Sequence, residues 1–372
     1  MEYLIKIVME ATIAYLIGTC LFDIFHYFSH KAAKSRFKFF KKIANLHMIH
    51  HRFFYASLKI NKTLQRKNLF HHVLVEYSIH LLGILLCLFF FVPLAIILAV
   101  LFETGILISV CLAKGMDAHH KPFNRQLKPP KGGIFVNADY HALHHMYPHN
   151  YFSSMIKLLD YILGTSLQLQ NKRIAMTGAN GALGKHMKIL LEKEGALVTA
   201  FKYGQDYHYN DYSSLEKVLE TTDILFLCHG TKYENTDQAN CESFIRIIEL
   251  YQAVKKPTLN PPEIWAVGSE IECHPCFGIK SLYPYAQSKR AFAKQARQYF
   301  HNNTLQYRHL VHSAFISPMG PGLMTASFAA KWTLFLLKRG FKYVPVTYTG
   351  FALLNYFKFL KPPFKKQQKS TQ

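Results

Sequence analysis

Lys172-Arg-Ile-Ala-Met-Thr-Gly-Ala-Asn-Gly-Ala-Leu-Gly184 is the stretch on which the fold of the second half turns. Lys172–Thr177 reads as a short buried strand, and Gly178, Gly181 and Gly184 form a turn that opens a helix over 181–194. Glycines in that position let the backbone approach a pyrophosphate held at the helix N-terminus. Gly178, Asn180, Gly181, Leu183 and Gly184 are therefore the candidate nucleotide contacts. Downstream, strand patterns at 196–201, 223–228 and 263–268 alternate with helical patterns at 213–220, 238–254 and 284–300. Such alternation predicts a doubly wound α/β domain around a parallel sheet, placed at 171–347. Residues 326–339 and 349–360 read as amphipathic helices. The second of them, with the basic tail Lys361-Pro-Pro-Phe-Lys-Lys, makes up a terminal segment, 348–372, suited to a membrane surface.

A second constellation lies about a hundred residues beyond the glycines. Tyr285-Ala-Gln-Ser-Lys289 opens the helix at 284–300, and its four-residue spacing puts phenol and ammonium on one face. The cation is expected to lower the phenol's pKa and make it a proton donor near neutrality. Cofactor choice falls on the end of the second strand, Ala200-Phe201-Lys202-Tyr203. An acid there would bind a ribose 2′-hydroxyl, whereas a base accommodates a 2′-phosphate, so Lys202 favours NADP over NAD.

Upstream of residue 168 the chain has another character. Three apolar stretches, at about 3–28, 75–91 and 94–113, are each long enough to span a bilayer, with Phe91-Val92-Pro93 as the turn between the last two. The first lacks the basic start and cleavage site of a secretory signal and reads as a retained span. From Ile24 to Val75 there is no acidic residue but eleven Lys and Arg, which marks a cytoplasmic loop. The expectation is a multi-pass integral membrane protein with its N-terminus outside and its remaining segments, the second domain included, in the cytoplasm. The net charge of +22 then reflects an anionic membrane surface, not nucleic acid. Seven scattered cysteines do not make a disulfide framework.

Of 21 histidines, fourteen lie in residues 1–150. Eight of them form three clusters, His26-Tyr-Phe-Ser-His30, His47-Met-Ile-His50-His51 and His141-Ala-Leu-His144-His145, all expected on one side of the membrane. On helices these spacings turn each cluster's imidazoles in a common direction. Imidazole suits iron, zinc and copper, and eight nitrogens exceed the needs of one tetrahedral ion, so two metals sharing the set is the natural count. The pairs His71-His72 and His119-His120 read more simply as ordinary histidines, though both remain candidate extra ligands. Glu103, inside a span, stands outside the candidate site.

The cluster order, the apolar hairpin before the third cluster and the trailing Asn150-Tyr151, Leu159-Asp160 and Leu163-Gly164-Thr165 resemble the membrane fatty acid hydroxylase/sterol desaturase superfamily, over about residues 10–167. That resemblance implies a non-haem di-iron centre held by His26, His30, His47, His50, His51, His141, His144 and His145. It further implies O2 as co-substrate, hydroxylation or desaturation of a membrane lipid in lipid biosynthesis, and a cytochrome b5-like or ferredoxin-like electron donor. Residues 172–347 resemble the short-chain dehydrogenase/reductase family, which has a Rossmann-like fold. The resemblance implies Tyr285 as general acid/base, Lys289 as its partner and ribose clamp, Ser269 as the carbonyl-orienting hydroxyl with Ser281 as a competitor, Asn240 as the proton-relay amide and Asp211 as the adenine contact. Cys228-His229-Gly230 replaces the family's usual Asn-Ala-Gly turn, with Gly230 lining the nucleotide site. The whole chain resembles the bifunctional sterol desaturase/short-chain dehydrogenases, a helical membrane di-metal domain (1–168) followed by an NADP-dependent oxidoreductase. Two other readings stay open here: that only the histidine domain is catalytic and the second domain is a nucleotide-binding regulator, and that the chain is a non-enzymatic membrane metal-binding protein.

Overall fold

The computed structural model describes residues 1–120, 123, 125–130 and 132–362, and the chain divides into one unit ending at Leu167 and a second beginning at Gln168. Among the described residues, three helical stretches are long and apolar enough to cross a membrane: Glu2–Ala32 (α1), Lys62–Phe89 (α3) and Pro93–Leu112 (α4). The middle one starts well over three turns before the apolar run at 75–91, because the polar segment ahead of it continues as helical and π-helical turns through His71 and His72. Where α1 crosses α3 two glycines meet. A Cβ on Gly18 would lie 2.7 Å from the His80 carbonyl, and one on Gly83 would lie 2.7 Å from the Gly18 Cα. Small residues at this contact let the two backbones touch, a packing mode suited to lipid surroundings. Glu10 accepts the Val92 N–H at 2.9 Å, fastening the turn that Pro93 closes by starting α4. Glu103 is not isolated in its span: it accepts a bond from His80 Nδ1 at 2.9 Å.

Lys38–Phe53 (α2) carries the second histidine cluster and Ala138–Met146 (α5) the third. The Asn137 side chain caps α5 by accepting the Tyr140 N–H. Behind the histidines, Phe53, Phe54, Leu58, Tyr140 and Leu143 form a buried core. Asp160, on the short helix Leu158–Leu163 (α6), accepts bonds from the Phe152 and Ser153 N–H groups, the Tyr140 hydroxyl and the Thr165 hydroxyl. The Asn150–Thr165 motif is therefore a scaffold that fixes the loop behind α5.

The second unit is built on six parallel strands in the order β2-β1-β3-β4-β5-β8: Arg173–Thr177 (β1), Leu197–Phe201 (β2), Ile224–Leu227 (β3), Glu263–Val267 (β4), Gln306–His312 (β5) and Tyr343–Val346 (β8). The two short strands Phe315–Ile316 (β6) and Met324–Thr325 (β7) pair separately. Ala182–Lys193 (α7) packs with Ala326–Lys338 (α10) on one face. Ser243–Val254 (α8) and Tyr283–Phe300 (α9) supply Phe244, Ile248, Tyr251, Phe292 and Ala296 to the core on the other face. This is the doubly wound, Rossmann-like sheet that the alternation predicts. Its strand order reverses at β1, so the cleft at the ends of β1 and β3 is the place for a ligand. β5 escapes the sequence pattern because its buried side chains include Gln306, Arg308, His309 and His312; Arg308 is neutralised by Glu263 at 2.6 Å. Phe351–Leu360 (α11) follows β8, and the basic tail from residue 363 on lies outside the described residues.

Candidate metal centre and dinucleotide site

Among the described residues the imidazoles gather in two groups: His26, His30, His47, His51 and His144 in one, and His50, His120, His141 and His145 in the other. All eight sequence-selected histidines are included, with one correction to their arrangement. The clusters on α2 and α5 do not each face a single direction: His47 and His51 turn to the first group and His50 to the second, while His141 and His145 turn to the second and His144 to the first. A ninth residue, His120, one of the candidate extra ligands, joins the second group. His72 also enters the neighbourhood, its ring stacked on His50 at 3.8 Å.

Within each group Nε2 atoms face one another. In the first, His26 and His144 are 2.8 Å apart, His30 and His47 3.0 Å, His47 and His51 3.0 Å, and His51 and His144 3.1 Å. In the second, His120 lies 2.8 Å from His50, 2.8 Å from His141 and 3.2 Å from His145. Nitrogens bound at about 2.1 Å from a metal are about 3.0 Å apart on adjacent octahedral vertices and about 3.4 Å apart on tetrahedral ones. The observed spacings fit the former better.

The protons establish the fit independently. His26 Nδ1–H donates to the Phe152 carbonyl and His144 Nδ1–H to the Asn150 carbonyl, both at 2.8 Å. His50 donates to Asn68 Oδ1, His120 to Asp117 Oδ1 and His145 to the Phe54 carbonyl. With Nδ1 holding the proton, the facing Nε2 atoms of His26 and His144 present two lone pairs to each other, an arrangement that a cation between them relieves. Burial, reinforced by neighbouring imidazoles, holds His47, His50, His51, His141 and His145 well below the usual histidine pKa. Burial brings His144 down to about 4 despite the hydrogen bond to Asn150. Five of the nine donors are thus oriented by outer partners, as metal ligation requires, whereas the Nδ1 atoms of His47 and His141 are buried without one among the described residues.

In the second unit the glycine turn is tightly determined. Gly178 has φ +69°, and a Cβ there would lie 2.5 Å from the His229 nitrogen; a Cβ on Gly184 would meet the Gly178 carbonyl at 2.1 Å. Leu183 is buried beneath the turn and Asn180 is exposed above it. A cleft of about 360 Å³ runs from Asn180, Gly181 and Lys185 to Pro318 and Thr325. His229, in the departure from the family turn, bridges Thr177 Oγ1 at 2.6 Å and Ser243 Oγ at 2.7 Å, tying β1 and β3 to α8. Gly230 is required because a Cβ would lie 2.6 Å from Asn240 Oδ1. The Asn240 amide is fully engaged, donating to the Thr231 carbonyl and Ser288 Oγ and accepting the Thr231 N–H, so its side chain holds this loop.

Ser269, at the end of β4, is the serine close enough to oppose the rise of the Tyr285 phenol's pKa, its hydroxyl capping the next turn by accepting the Ile271 N–H, while Ser281 is exposed on the following turn. Lys289 is buried and donates to the Val267 carbonyl at 3.0 Å, and burial lowers its pKa to about 8. The expected depression of the phenol is not found: burial pushes Tyr285 up, with Ser269 opposing it, because the ammonium is directed at Val267. At the end of β2, Lys202 is exposed, and its backbone N–H is held by Asp206 Oδ2 at 2.7 Å, so an acid and a base share the position that selects the ribose. Asp211 accepts from the Ser213 N–H and hydroxyl, capping the next helical turn.

No family model matches the chain. Among curated proteins it is similar to the monoglucosyldiacylglycerol epimerase of Synechocystis sp., 28% identical over 276 residues that cover 65% of this chain and 66% of that protein. The chain thus spans just under two thirds of the length of this curated relative. Among solved structures, a short-chain dehydrogenase from Burkholderia cenocepacia in complex with NADP is 13% identical and covers 51% of this chain and 95% of its own, with a TM-score of 0.43. The Pseudomonas aeruginosa RhlG/NADP active-site complex is 15% identical over 50% of this chain and 98% of its own, with a TM-score of 0.40.

Proposed function

We propose that the chain is a membrane-lipid oxidoreductase of two modules, in which the second unit interconverts a lipid-borne hydroxyl and carbonyl with NADP. The observation that carries this reading is the placing of Tyr285 and buried Lys289 on one helix, Lys289 donating to the Val267 carbonyl just before Ser269, at the end of the sheet that presents the Gly178 turn. NADP, held by the glycine turn and accommodated at Lys202, supplies the hydride chemistry. Ser269 orients the substrate oxygen, Tyr285 Oη gives up or takes the proton, and Lys289 clamps the ribose and provides a cation beside the site. The first unit, in the same reading, holds two iron ions through its nine imidazoles. That centre supplies O2-dependent oxidation of a lipid C–H bond, with electrons from a cytochrome b5-like or ferredoxin-like donor. The protein is then multi-pass, with its N-terminus outside and both sites in the cytoplasm, a topology supported by the basic segment between Ile24 and Val75.

The similarity to a monoglucosyldiacylglycerol epimerase favours a second reading of the reductase unit. Removing hydride and proton from a headgroup carbinol and returning both, with the hydride delivered to the opposite face, inverts that carbon without net oxidation. The test is the full chain in nanodiscs of extracted membrane lipid, supplied with NADPH and, separately, with pre-reduced cytochrome b5 or ferredoxin, followed by mass spectrometry, O2 uptake and NADPH consumption. Gain of one oxygen or loss of two hydrogens, with O2 uptake, is the outcome for the first unit, and NADPH-linked change at a hydroxyl is the outcome for the second. Isomerisation with neither O2 uptake nor net nucleotide consumption supports epimerisation. Tyr285→Phe should abolish the nucleotide-linked change and leave the metal in place, whereas His144→Ala should abolish O2 uptake and leave NADPH binding unchanged. Nucleotide-linked turnover that survives Tyr285→Phe overturns the assignment.

A further inference from the structure

The last hundred residues, 273–372, contain fifteen Lys and Arg and no Asp or Glu, so most of the chain's +22 lies there. Within this segment α11 is apolar on both sides. Ala352, Asn355 and Phe359 are buried against the unit, while Leu353, Leu354, Phe357 and Leu360 face outward at 55, 65, 62 and 48% exposure. An outward face this apolar needs a second apolar surface, and Lys358 and Lys361 flank it. The patch continues beyond the helix: Phe351 and Phe277 both pack on the His274 ring at 5.1 Å, and Phe277 is 68% exposed.

This helix is also tied to the reductase site. Glu270 accepts from the hydroxyls of Ser313, Thr347 and Thr349 and from the Ala352 N–H, gripping the start of α11. Glu272 takes the Asn355 amide and His309 Nε2 on one oxygen and the Ser269 N–H on the other. The segment that carries Ser269 is therefore the segment that anchors α11.

We propose that the outward face of α11, with Phe277 beside it, docks on an anionic lipid bilayer and thereby sets the Ser269–Tyr285 site at the membrane surface. Apolar side chains enter the acyl boundary while the acid-free, basic segment meets anionic headgroups. A nucleic acid would use the charge but leave the apolar face uncovered. The proposal rests on the reading of α1, α3 and α4 as membrane spans, which is tested separately by flotation of the wild-type chain with vesicles.

The experiment uses the full chain in nanodiscs of phosphatidylcholine with a minor fraction of phosphatidylglycerol, carrying Leu354→Trp or, as a second probe, Phe357→Trp. Both positions are exposed, so neither change disturbs the core, and NADPH binding checks the fold. Relative to wild type, whose own signal comes from buried Trp265 and 43%-exposed Trp332 and is subtracted, the added emission should be blue-shifted and should lose about half or more of its intensity with acyl-chain-brominated phosphatidylcholine. The quenching should weaken when phosphatidylglycerol is omitted. Added emission that stays solvent-like and unquenched in a protein that floats overturns docking alone. Emission that is blue-shifted but unquenched, and varies with the number of chains per disc, also overturns it by assigning the face to a second copy of the chain.

Discussion

His120→Ala tests the metal centre most directly, because the consequence differs between the two groups. His120 Nε2 lies 2.8, 2.8 and 3.2 Å from the other three ligating nitrogens of its group, so it touches every other member. Its removal leaves three imidazoles there and five in the other group, to which it does not belong. Loss of a mere outer partner costs metal affinity about 10–100-fold, so loss of a direct ligand should cost at least about 100-fold, or roughly 2.7 kcal/mol. The assay is metal per chain by mass spectrometry after equilibration with a chelator that leaves wild type fully loaded. Wild type should retain two ions and His120→Ala one. His72→Ala is the control: its ring stacks on His50, but it contributes no nitrogen to either group, so two ions should remain. Two ions retained by His120→Ala would refute the four-imidazole site. Loss of an ion from His72→Ala would show that the boundary of the site has been drawn in the wrong place.

Two further perturbations bear on the nucleotide site. Gly184→Ala places a methyl 2.1 Å from the Gly178 carbonyl, a backbone atom that cannot swing away. NADPH affinity should fall by about tenfold or more and the second unit should lose about 1–3 kcal/mol, read by fluorescence titration and thermal unfolding; unchanged binding would contradict the tight turn. Burial lowers the Lys289 pKa to about 8, so its charge, present below that value, is lost as pH rises through it. Nucleotide-linked turnover should therefore decline above about pH 8, and Lys289→Arg, if it folds and binds NADPH, should move that limb upward; a limb that stays in place would assign the titration to another group.

How far the sequence discloses the protein depends on whether a residue's role is local. The glycine turn, the strands at 173–177 and 224–227 and the helix bearing Tyr285 and Lys289 are legible because pattern and spacing act within a few residues. β5 is not, since Arg308 and His309 can be buried only once Glu263 and Glu272 arrive from β4 and the turn beyond it. Ser269 and Ser281 are equivalent as letters; only the fold shows that Ser269 ends β4 and Ser281 is exposed on the turn before Tyr285. The direction of the Tyr285 shift is misread for the same reason: helical spacing puts Lys289 on the right face but does not show that its ammonium bonds the Val267 carbonyl.

The split of the histidines, by contrast, follows from helix geometry once it is applied to each motif in turn. At about 100° per residue, positions i and i+4 differ by about 40° and position i+3 falls about 60° to the other side. An HxxHH motif therefore offers its first and last imidazoles to one centre and its middle one to another. His47 and His51 with His50 apart, and His141 and His145 with His144 apart, obey this rule in opposite senses. The HxxxH pair His26 and His30 has no i+3 member and goes wholly to the first group. The motifs alone thus give five ligands to one ion and three to the other, and the deficit calls for a donor from outside them. What spacing cannot supply is its identity. His120 is selected by the fold, where Asp117 takes its Nδ1 proton at 2.8 Å and turns Nε2 toward His50 and His141. An Asp three residues before a histidine is thus the one local mark that sets His120 apart from His119, His71 and His72. Asp117→Ala should weaken the second ion alone, by the about 10–100-fold expected of an outer partner, and equal weakening of both ions would show that the two groups are not separable centres.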